Sequence, residues 1–120
     1  MKKILLVDDE QAILEMYKAS LGGYEIELAR NGSEAIDKAN KCLPDLIYLD
    51  IIMPEINGLD VLEKLKKNPA TKDIPVILLT NLPKEASCQK AMSLGATDYL
   101  VKAEVEPDML VKETERIVGK

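Results

Sequence analysis

The sequence contains no histidine, and this absence removes several kinds of chemistry at once. Without an imidazole group there is no Ser-His-Asp or Cys-His nucleophile system and no histidine metal ligand. The chain also carries no phosphohistidine of its own. Its two cysteines, Cys42 and Cys88, are too few for a zinc site of four thiolates and show no disulfide spacing, so we expect two reduced thiols.

Aromatic residues and long apolar runs are also scarce. The chain has four tyrosines and neither phenylalanine nor tryptophan, so its core must be aliphatic. The first apolar run, residues 4–7, stops at Asp8 and is too short for a signal peptide or a transmembrane helix. Basic residues are scattered and the net charge is −5, which disfavours binding to nucleic acid or to an anionic membrane. These features predict a soluble cytoplasmic protein.

The length and composition that remain are those of one globular domain. The 120 residues are 47% hydrophobic and 31% charged, and no linker, low-complexity segment or internal repeat divides them. We therefore expect a single domain over residues 1–120, with no effector domain in this chain.

Short apolar runs alternate with segments of helical periodicity along the chain. The runs at Ile4, Leu46 and Val76 are continuously apolar, which is typical of strands covered on both faces of a parallel sheet. The run at Tyr24 alternates between apolar and polar residues and fits an edge strand. Five strands are predicted, at residues 4–7, 24–28, 46–49, 76–79 and 99–101.

Helical stripes separate the strands, and turn residues mark their ends. The face of the first helix is predicted to carry Ile13, Met16, Tyr17 and Leu21. Ser33 is a candidate N-cap of the second helix, Asn57 and Gly58 open the third and Gly95 closes the fourth. Five strand–helix repeats are too few for an eight-stranded barrel and predict a doubly wound, open α/β sheet.

Polar side chains follow these strands at their carboxyl ends, where ligands bind in open α/β sheets. They are Asp8, Asp9 and Glu10 after the first strand, Asp50 after the third, Thr80 at the end of the fourth and Lys102 after the fifth. Individually, acids can simply favour a helix N-terminus, threonine can cap a helix and lysine can lie in solvent. Their shared position at one edge of the sheet favours a functional site.

Carboxylates gathered at this edge require a counter-charge. Two carboxylates about 4 Å apart repel by roughly 4 kcal/mol at an effective dielectric constant of about 20, and a hard divalent cation relieves that repulsion. With oxygen ligands and no histidine, the candidates are Mg²⁺, Mn²⁺ and Ca²⁺. A carboxylate beside Mg²⁺, a lysine and a threonine hydroxyl are suited to phosphoryl transfer, and the carboxylate itself can become an aspartyl phosphate.

The sequence resembles the receiver domain of two-component response regulators along essentially its whole length. Four segments carry the resemblance, in order and at similar spacing. They are Ile-Leu-Leu-Val-Asp-Asp-Glu at residues 4–10, Leu-Asp-Ile-Ile-Met-Pro at 49–54 followed by Asn57 and Gly58, Ile-Leu-Leu-Thr at 77–80, and Gly-Ala-Thr-Asp-Tyr-Leu-Val-Lys at 95–102. The resemblance implies a flavodoxin-like sheet of five parallel strands in the order 2-1-3-4-5, with five helices.

The resemblance also implies an acceptor and a metal site. Asp50 is the expected phosphoacceptor, and its phosphoryl donor is a phosphohistidine on a separate sensor histidine kinase or phosphotransfer protein. Asp9 is the expected direct Mg²⁺ ligand and Asp8 holds metal-bound water. Asp50 itself and the backbone carbonyl of Ile52 complete the expected metal site. Such a chain is a phosphoacceptor regulator, not an enzyme, although it catalyses its own phosphoryl transfer and slow dephosphorylation.

The remaining site residues are expected to transmit the signal. By the resemblance, Lys102 pairs with the phosphoryl group while Thr80 and Tyr99 form a switch pair in which Tyr99 turns inward. The residue pattern alone predicts only a half-buried strand residue at Tyr99. The surface that changes would be the fourth helix, fifth strand and fifth helix, at residues 84–94, 97–101 and 106–118. A downstream protein, or a second copy in a weak phosphorylation-dependent dimer, is the expected partner.

Two residues depart from the usual receiver pattern. Ala103 follows the site lysine, where receivers usually have a proline, often in cis, and Asn81 follows the switch threonine, where a small residue is common. A cis bond before a residue other than proline costs about 3 kcal/mol, so we expect a trans bond between Lys102 and Ala103. Because Ile52 cannot orient a water molecule and Asn81 is bulky, we also expect slow self-dephosphorylation.

Three other functions fit parts of the sequence. A haloacid-dehalogenase-like phosphatase would need an acid at position 52, where this chain has isoleucine. A flavodoxin-like FMN carrier would need a phosphate loop after the first strand, where Asp8 and Asp9 would repel a phosphate. The third is a receiver-shaped interaction module that is never phosphorylated, and a phosphorylation assay distinguishes it.

Overall fold

Five short strands, each followed by a helix, make up the computed structural model, which describes residues 1–119. The strands are β1 (Lys3–Val7), β2 (Glu25–Ala29), β3 (Leu46–Leu49), β4 (Val76–Thr80) and β5 (Asp98–Val101). The helices are α1 (Gln11–Ser20), α2 (Gly32–Cys42), α3 (Gly58–Lys67), α4 (Lys84–Ser93) and α5 (Pro107–Val118), with a 3-10 turn at Lys102–Glu104. Lys120, the last residue of the predicted domain, lies outside the described residues.

All strands pair in parallel and form one sheet in the order β2-β1-β3-β4-β5. This order confirms the predicted doubly wound, flavodoxin-like α/β architecture. The alternating strand β2 lies at one edge, as predicted, and the continuously apolar strands β1, β3 and β4 lie inside the sheet. Every residue of β3 and β4 is buried, since helices cover both faces.

Alternate residues of each strand supply two separate cores. Leu5 and Val7 of β1 face one core, while Ile4 and Leu6 face the other. Helices α2, α3 and α4 cover the first face and helices α1 and α5 the second. Burial of a leucine, isoleucine or valine side chain contributes about 1.5–3 kcal/mol, so these two cores hold the carboxyl ends of the strands in fixed positions.

Several local expectations are wrong. Asn31, two residues before Ser33, is the N-cap of α2, and its Oδ1 accepts a hydrogen bond from the amide of Glu34 at 2.8 Å. In α1, Leu14 is fully buried while Met16 is 44% exposed, because Met16 lies about 200° around the helix from Leu14. The predicted start of α3 and the predicted end of α4 are confirmed. Asn57 caps α3, and Gly95 follows α4 with a φ of 103°.

No helix within residues 1–119 is long and apolar enough to cross a membrane.

Candidate functional site

The carboxyl ends of β1, β3, β4 and β5 meet at one edge of the sheet and form an open pocket of about 310 Å³. The residues that line this pocket are Asp9, Glu10, Asp50, Ile52, Thr80, Asn81 and Lys102. Parallel strands bring these side chains together from four separate parts of the sequence. The convergence predicted from the sequence is therefore confirmed.

Lys102 joins the two buried carboxylates at this edge. Its Nζ lies 2.5 Å from Oδ2 of Asp8 and 2.9 Å from Oδ2 of Asp50. The side chains are largely removed from solvent, with 8% of the lysine and 5% of each aspartate exposed. One ammonium group thus offsets part of the repulsion between two carboxylates, which leaves the pair with a net negative charge.

Burial and neighbouring charges act in opposite directions on the pKa values of Asp8 and Lys102. Burial raises the pKa of Asp8 above its ordinary value, although hydrogen bonds from Lys102 and the Glu10 amide act in the opposite direction. Burial lowers the pKa of Lys102, but the hydrogen bonds and charges of Asp8 and Asp50 outweigh burial and raise it overall. Lys102 therefore stays cationic at neutral pH and is available to a further anion.

Backbone amides hold the second oxygen of each buried carboxylate. Oδ1 of Asp50 accepts hydrogen bonds from the amides of Ile51 at 2.7 Å and Ile52 at 3.3 Å. Oδ1 of Asp8 accepts one from the amide of Glu10 at 3.0 Å. Each aspartate is therefore fixed on one side by backbone and on the other by Lys102, so the two carboxylates are positioned before any ligand binds.

Gly58 allows α3 to pack directly against the loop that follows Asp50. Its amide donates to the carbonyl oxygen of Ile51 at 2.8 Å. A Cβ atom at residue 58 would lie 2.0 Å from the carbonyl oxygen of Asp50 and 2.7 Å from Cα of Ile51. Sequence reasoning placed Gly58 at the start of a helix but missed this close approach, which fixes the backbone on which Asp50 stands.

A cluster of acidic groups at the end of β1 can hold a cation. Carboxylate oxygens of Asp8, Asp9 and Glu10 lie within 4.8 Å of one another, and Asp9 and Glu10 are exposed. The donor atoms are all carboxylate oxygens, which suits Mg²⁺. Glu10 thus joins Asp8 and Asp9 in this cluster, whereas Asp50, which the resemblance places in the metal site, does not belong to it.

Leu82 links the two predicted switch residues. The Leu82 amide donates to Oγ1 of Thr80 at 3.4 Å, and the Leu82 carbonyl accepts a hydrogen bond from the hydroxyl of Tyr99 at 3.0 Å. Tyr99 is 1% exposed, so the expectation of a half-buried residue is wrong. Helix α4 covers it, as Ala91 and Cys88 belong to the same core. Tyr99 already occupies the inward position, and sequence reasoning did not identify Leu82.

The two departures from the receiver pattern are in contact. Oδ1 of Asn81 accepts a hydrogen bond from the backbone amide of Ala103 at 3.1 Å. The peptide bond between Lys102 and Ala103 is trans, as predicted, since residues 1–119 contain no cis peptide bond. Both residues are exposed, and Asn81 lines the pocket.

The strand order and the residues at this edge define a CheY-type α/β signalling domain. Residues 4–115 match the response regulator receiver domain family, and the chain belongs to that family. Receiver domains are phosphoacceptor regulators that act as phosphorylation-dependent switches in two-component signalling, and they use Mg²⁺ at an acidic pocket. The haloacid-dehalogenase-like and FMN-carrier interpretations are therefore set aside.

Proteins similar to the chain include one of nearly the same length and several that are longer. The solved structure of chemotaxis protein CheY4 from Vibrio cholerae is 34% identical, with a TM-score of 0.91 over 98% of this chain and 99% of that one. The phosphate regulon transcriptional regulatory protein PhoB of Rhizobium meliloti is 32% identical over 92% of this chain and 49% of its own length. Response regulator PleD of Caulobacter vibrioides is 39% identical over 83% of this chain and 22% of its own. The chain spans half or less of the length of these curated relatives.

Proposed function

We propose that Asp50 accepts a phosphoryl group from a phosphohistidine on a separate sensor histidine kinase or phosphotransfer protein. In that transfer a carboxylate oxygen of Asp50 bonds to phosphorus while the bond between phosphorus and the imidazole nitrogen breaks. The observation that carries this proposal is the placement of Asp50, buried at the strand edge with Oδ1 held by backbone amides and Oδ2 2.9 Å from Lys102. A fixed carboxylate beside a cation is suited to phosphoryl transfer, which depends on positioning and charge neutralisation.

Lys102 neutralises negative charge both before and after phosphoryl transfer. Before transfer it is bonded to Asp8 and Asp50. Transfer adds a phosphoryl group with about two negative charges and three acceptor oxygens. The ammonium group then donates to a phosphoryl oxygen instead of to Asp50, so it favours the product without leaving the pocket. Thr80, at the end of β4, supplies a hydroxyl donor to the same group.

Asp8 and Asp9 would hold Mg²⁺ at this site, together with the backbone carbonyl of Ile52 and an oxygen of Asp50. Their all-oxygen chemistry fits the ion. When bound, Mg²⁺ neutralises charge on the transferring phosphoryl group. An ionised carboxylate has about four acceptor positions, so Asp50 can bond to Lys102 and still offer an oxygen to this site.

Leu82 offers a route from the site to the surface. A hydrogen bond that Thr80 donates to a phosphoryl oxygen would draw its hydroxyl towards the site, and the Leu82 amide, which donates to that hydroxyl, would follow. Leu82 also carries the contact to Tyr99. Because Tyr99 already lies inward, no inward turn is needed here. The change would affect the loop between β4 and α4 and, through that loop, the output face. We define the output face as residues 84–94, 97–101 and 106–118.

The output face contains an apolar groove that suits a protein partner. The groove has a volume of about 320 Å³. It is lined by five residues of the output face, Leu100, Met109, Lys112, Glu113 and Arg116, and by the adjoining Val105. We propose that residues 1–120 act as one receiver unit in the cytoplasm whose partner at this face is a downstream protein or a second copy in a weak dimer. The net charge of −5 supports a protein partner over nucleic acid or membrane.

Amide hydrogen exchange tests this output route. With beryllofluoride and Mg²⁺ as a phosphoryl mimic, we expect protection to change at the pocket and across the output face. The Asp50→Asn variant is the control and should show neither change. Thr80→Ala should respond at the pocket but transmit poorly to the output face. A response confined to the surroundings of Asp8, Asp9 and Asp50 would contradict the route.

A further inference from the structure

Asn81 and Ala103 are the two residues that depart from the receiver pattern, and they bond to each other. Asn81 directly follows Thr80, and Ala103 directly follows Lys102. The bond between Oδ1 of Asn81 and the amide of Ala103, 3.1 Å long, therefore joins the loop after β4 to the loop after β5. It crosses the rim of the pocket beside the hydroxyl and the ammonium group of the site.

The two departures are chemically complementary. Proline has no amide hydrogen, so a proline at position 103 could not donate to residue 81. Proline would, however, restrain its own backbone through its ring. Ala103 lacks that restraint but supplies a donor, and a small apolar side chain at position 81 would have no oxygen to accept it. Asn81 supplies that oxygen.

We propose that Asn81 is a positioning residue that restrains the Lys102 loop through Ala103 and so keeps the lysine directed at Asp50 and Asp8. This inference rests on the proposed function, because it concerns the rate at which Asp50 takes up phosphate. The restraint acts on a turn of three residues, Lys102–Glu104, of which Ala103 and Glu104 are exposed. A backbone bond from the Val105 amide to the Lys102 carbonyl closes the turn. Val105 packs against the second core, so the Asn81 bond restrains the segment between Lys102 and that anchor.

The bond also couples movement of the two loops. When Thr80 donates to a phosphoryl oxygen, Asn81 moves with it, and Ala103 follows as long as the bond persists. Lys102 and Thr80 then approach the phosphoryl group together and not one after the other.

The first test measures the hydrogen bond without phosphate. In the Asn81→Ala variant, exchange of the Ala103 amide should accelerate about fivefold or more, since one hydrogen bond of typical strength corresponds to about that factor. Asn40→Ala is the matched control, because Oδ1 of Asn40 also accepts an exposed side-chain hydrogen bond, from Asn68 at 2.8 Å, far from the site. It should leave the Ala103 amide unchanged.

The second test measures the effect on phosphate uptake from acetyl phosphate in two backgrounds. In the parent, Asn81→Ala should slow uptake about fivefold. In the Ala103→Pro background, where the donor is gone, the same substitution should change uptake by less than about twofold. A merely steric effect of Asn81 on access to the pocket would be equal in both backgrounds, and Asn40→Ala should have no effect in either.

The outcomes separate this inference from the proposed function. An unchanged Ala103 amide in Asn81→Ala, or equal effects on uptake in both backgrounds, would overturn the positioning role. Faster exchange of the Ala103 amide in Asn81→Ala, together with unequal effects on uptake in the two backgrounds, would support the positioning role. If Ala103→Pro does not fold, the single variants decide. The positioning role is then supported if Asn81→Ala shows both faster exchange of the Ala103 amide and slower phosphate uptake, while Asn40→Ala shows neither change. If the parent takes up no phosphate, the proposed function fails, and the positioning role fails with it even where the Ala103 amide responds.

Discussion

The ammonium group of Lys102 lies 2.9 Å from a carboxylate oxygen of Asp50, although 52 residues separate them in sequence. The same nitrogen is bonded to Asp8, so it sits between the residue that we propose to be phosphorylated and one that we propose to hold the metal. A lysine in this position both restrains the unmodified site and is available to the phosphoryl group that forms there.

Replacing this lysine should slow phosphoryl transfer. In Lys102→Met the carboxylates lose their ammonium partner and the developing phosphoryl charge loses a donor, so we expect uptake from acetyl phosphate to fall at least about tenfold, or about 1.4 kcal/mol. Lys41→Met is the control, since Lys41 is 73% exposed and pairs with Asp37 one helical turn away. Equal uptake in Lys102→Met and the control would show that the lysine has no part in transfer.

Substitution of Gly58 should disturb the fold at the acceptor. A Cβ at residue 58 would collide with the Asp50 backbone, so Gly58→Ala must displace the start of α3 or the loop after β3. We expect a loss of about 3 kcal/mol in the free energy of unfolding, measured by urea denaturation. Gly23→Ala is the matched control because nothing lies within 4 Å of its added Cβ. Equal stability of the two variants would mean that the close approach at Gly58 does not constrain the loop.

A buried hydrogen bond should fix α5 on the sheet. The hydroxyl of Tyr48 lies 2.7 Å from Oγ1 of Thr114, which itself donates to the carbonyl of Leu110 at 2.8 Å. Thr114→Val leaves the Tyr48 hydroxyl with only a 3.5 Å contact to Leu110, and should cost about 1–3 kcal/mol of unfolding free energy. Adding Tyr48→Phe removes the unpaired hydroxyl, so the double variant should be no less stable than Thr114→Val. A further loss in the double variant, equal to that of Tyr48→Phe alone, would show that the two groups are not coupled.

The side chain at position 52 should set the lifetime of the phosphorylated form. Ile52 is 59% exposed at the pocket and has no group that can orient a water molecule for attack on phosphorus. In Ile52→Glu or Ile52→Asn a polar group can do so, and we expect loss of phosphate to accelerate about threefold or more. The lifetime can be followed by intact mass after removal of the donor. Ile52→Leu is the aliphatic control, and lifetimes equal to that control in both polar variants would reject the role of residue 52.

Much of the fold follows from local sequence because it depends on short apolar runs. The runs at Leu46 and Val76 have no polar residue to face solvent, so only the interior of a covered sheet accommodates them. It is harder to predict which side of a helix faces the core. Leu14 and Met16 are both apolar, and only the direction in which β1 delivers the chain to α1 decides that Leu14 is buried.

The site was predictable in its composition but not in its contacts. Parallel topology alone brings Asp8, Asp50 and Lys102 to one edge, whereas the burial of Tyr99 depends on how closely α4 covers β5. The bond between Asn81 and Ala103 depends on the paths of two loops, which no periodicity encodes. Each residue was unusual by itself, and only the structure shows that they are partners.

Intact mass after incubation with acetyl phosphate and Mg²⁺ tests the central claim, that Asp50 is the phosphoacceptor, most directly. The parent should gain one phosphoryl group, and removal of Mg²⁺ with a chelator should prevent the gain. Asp9→Ala should gain it slowly, because a metal ligand is lost while the acceptor remains. Asp50→Asn, whose amide cannot form an acyl phosphate, should gain none while retaining the parent's thermal stability within a few degrees. Equal gain of phosphate by Asp50→Asn and the parent would contradict the account.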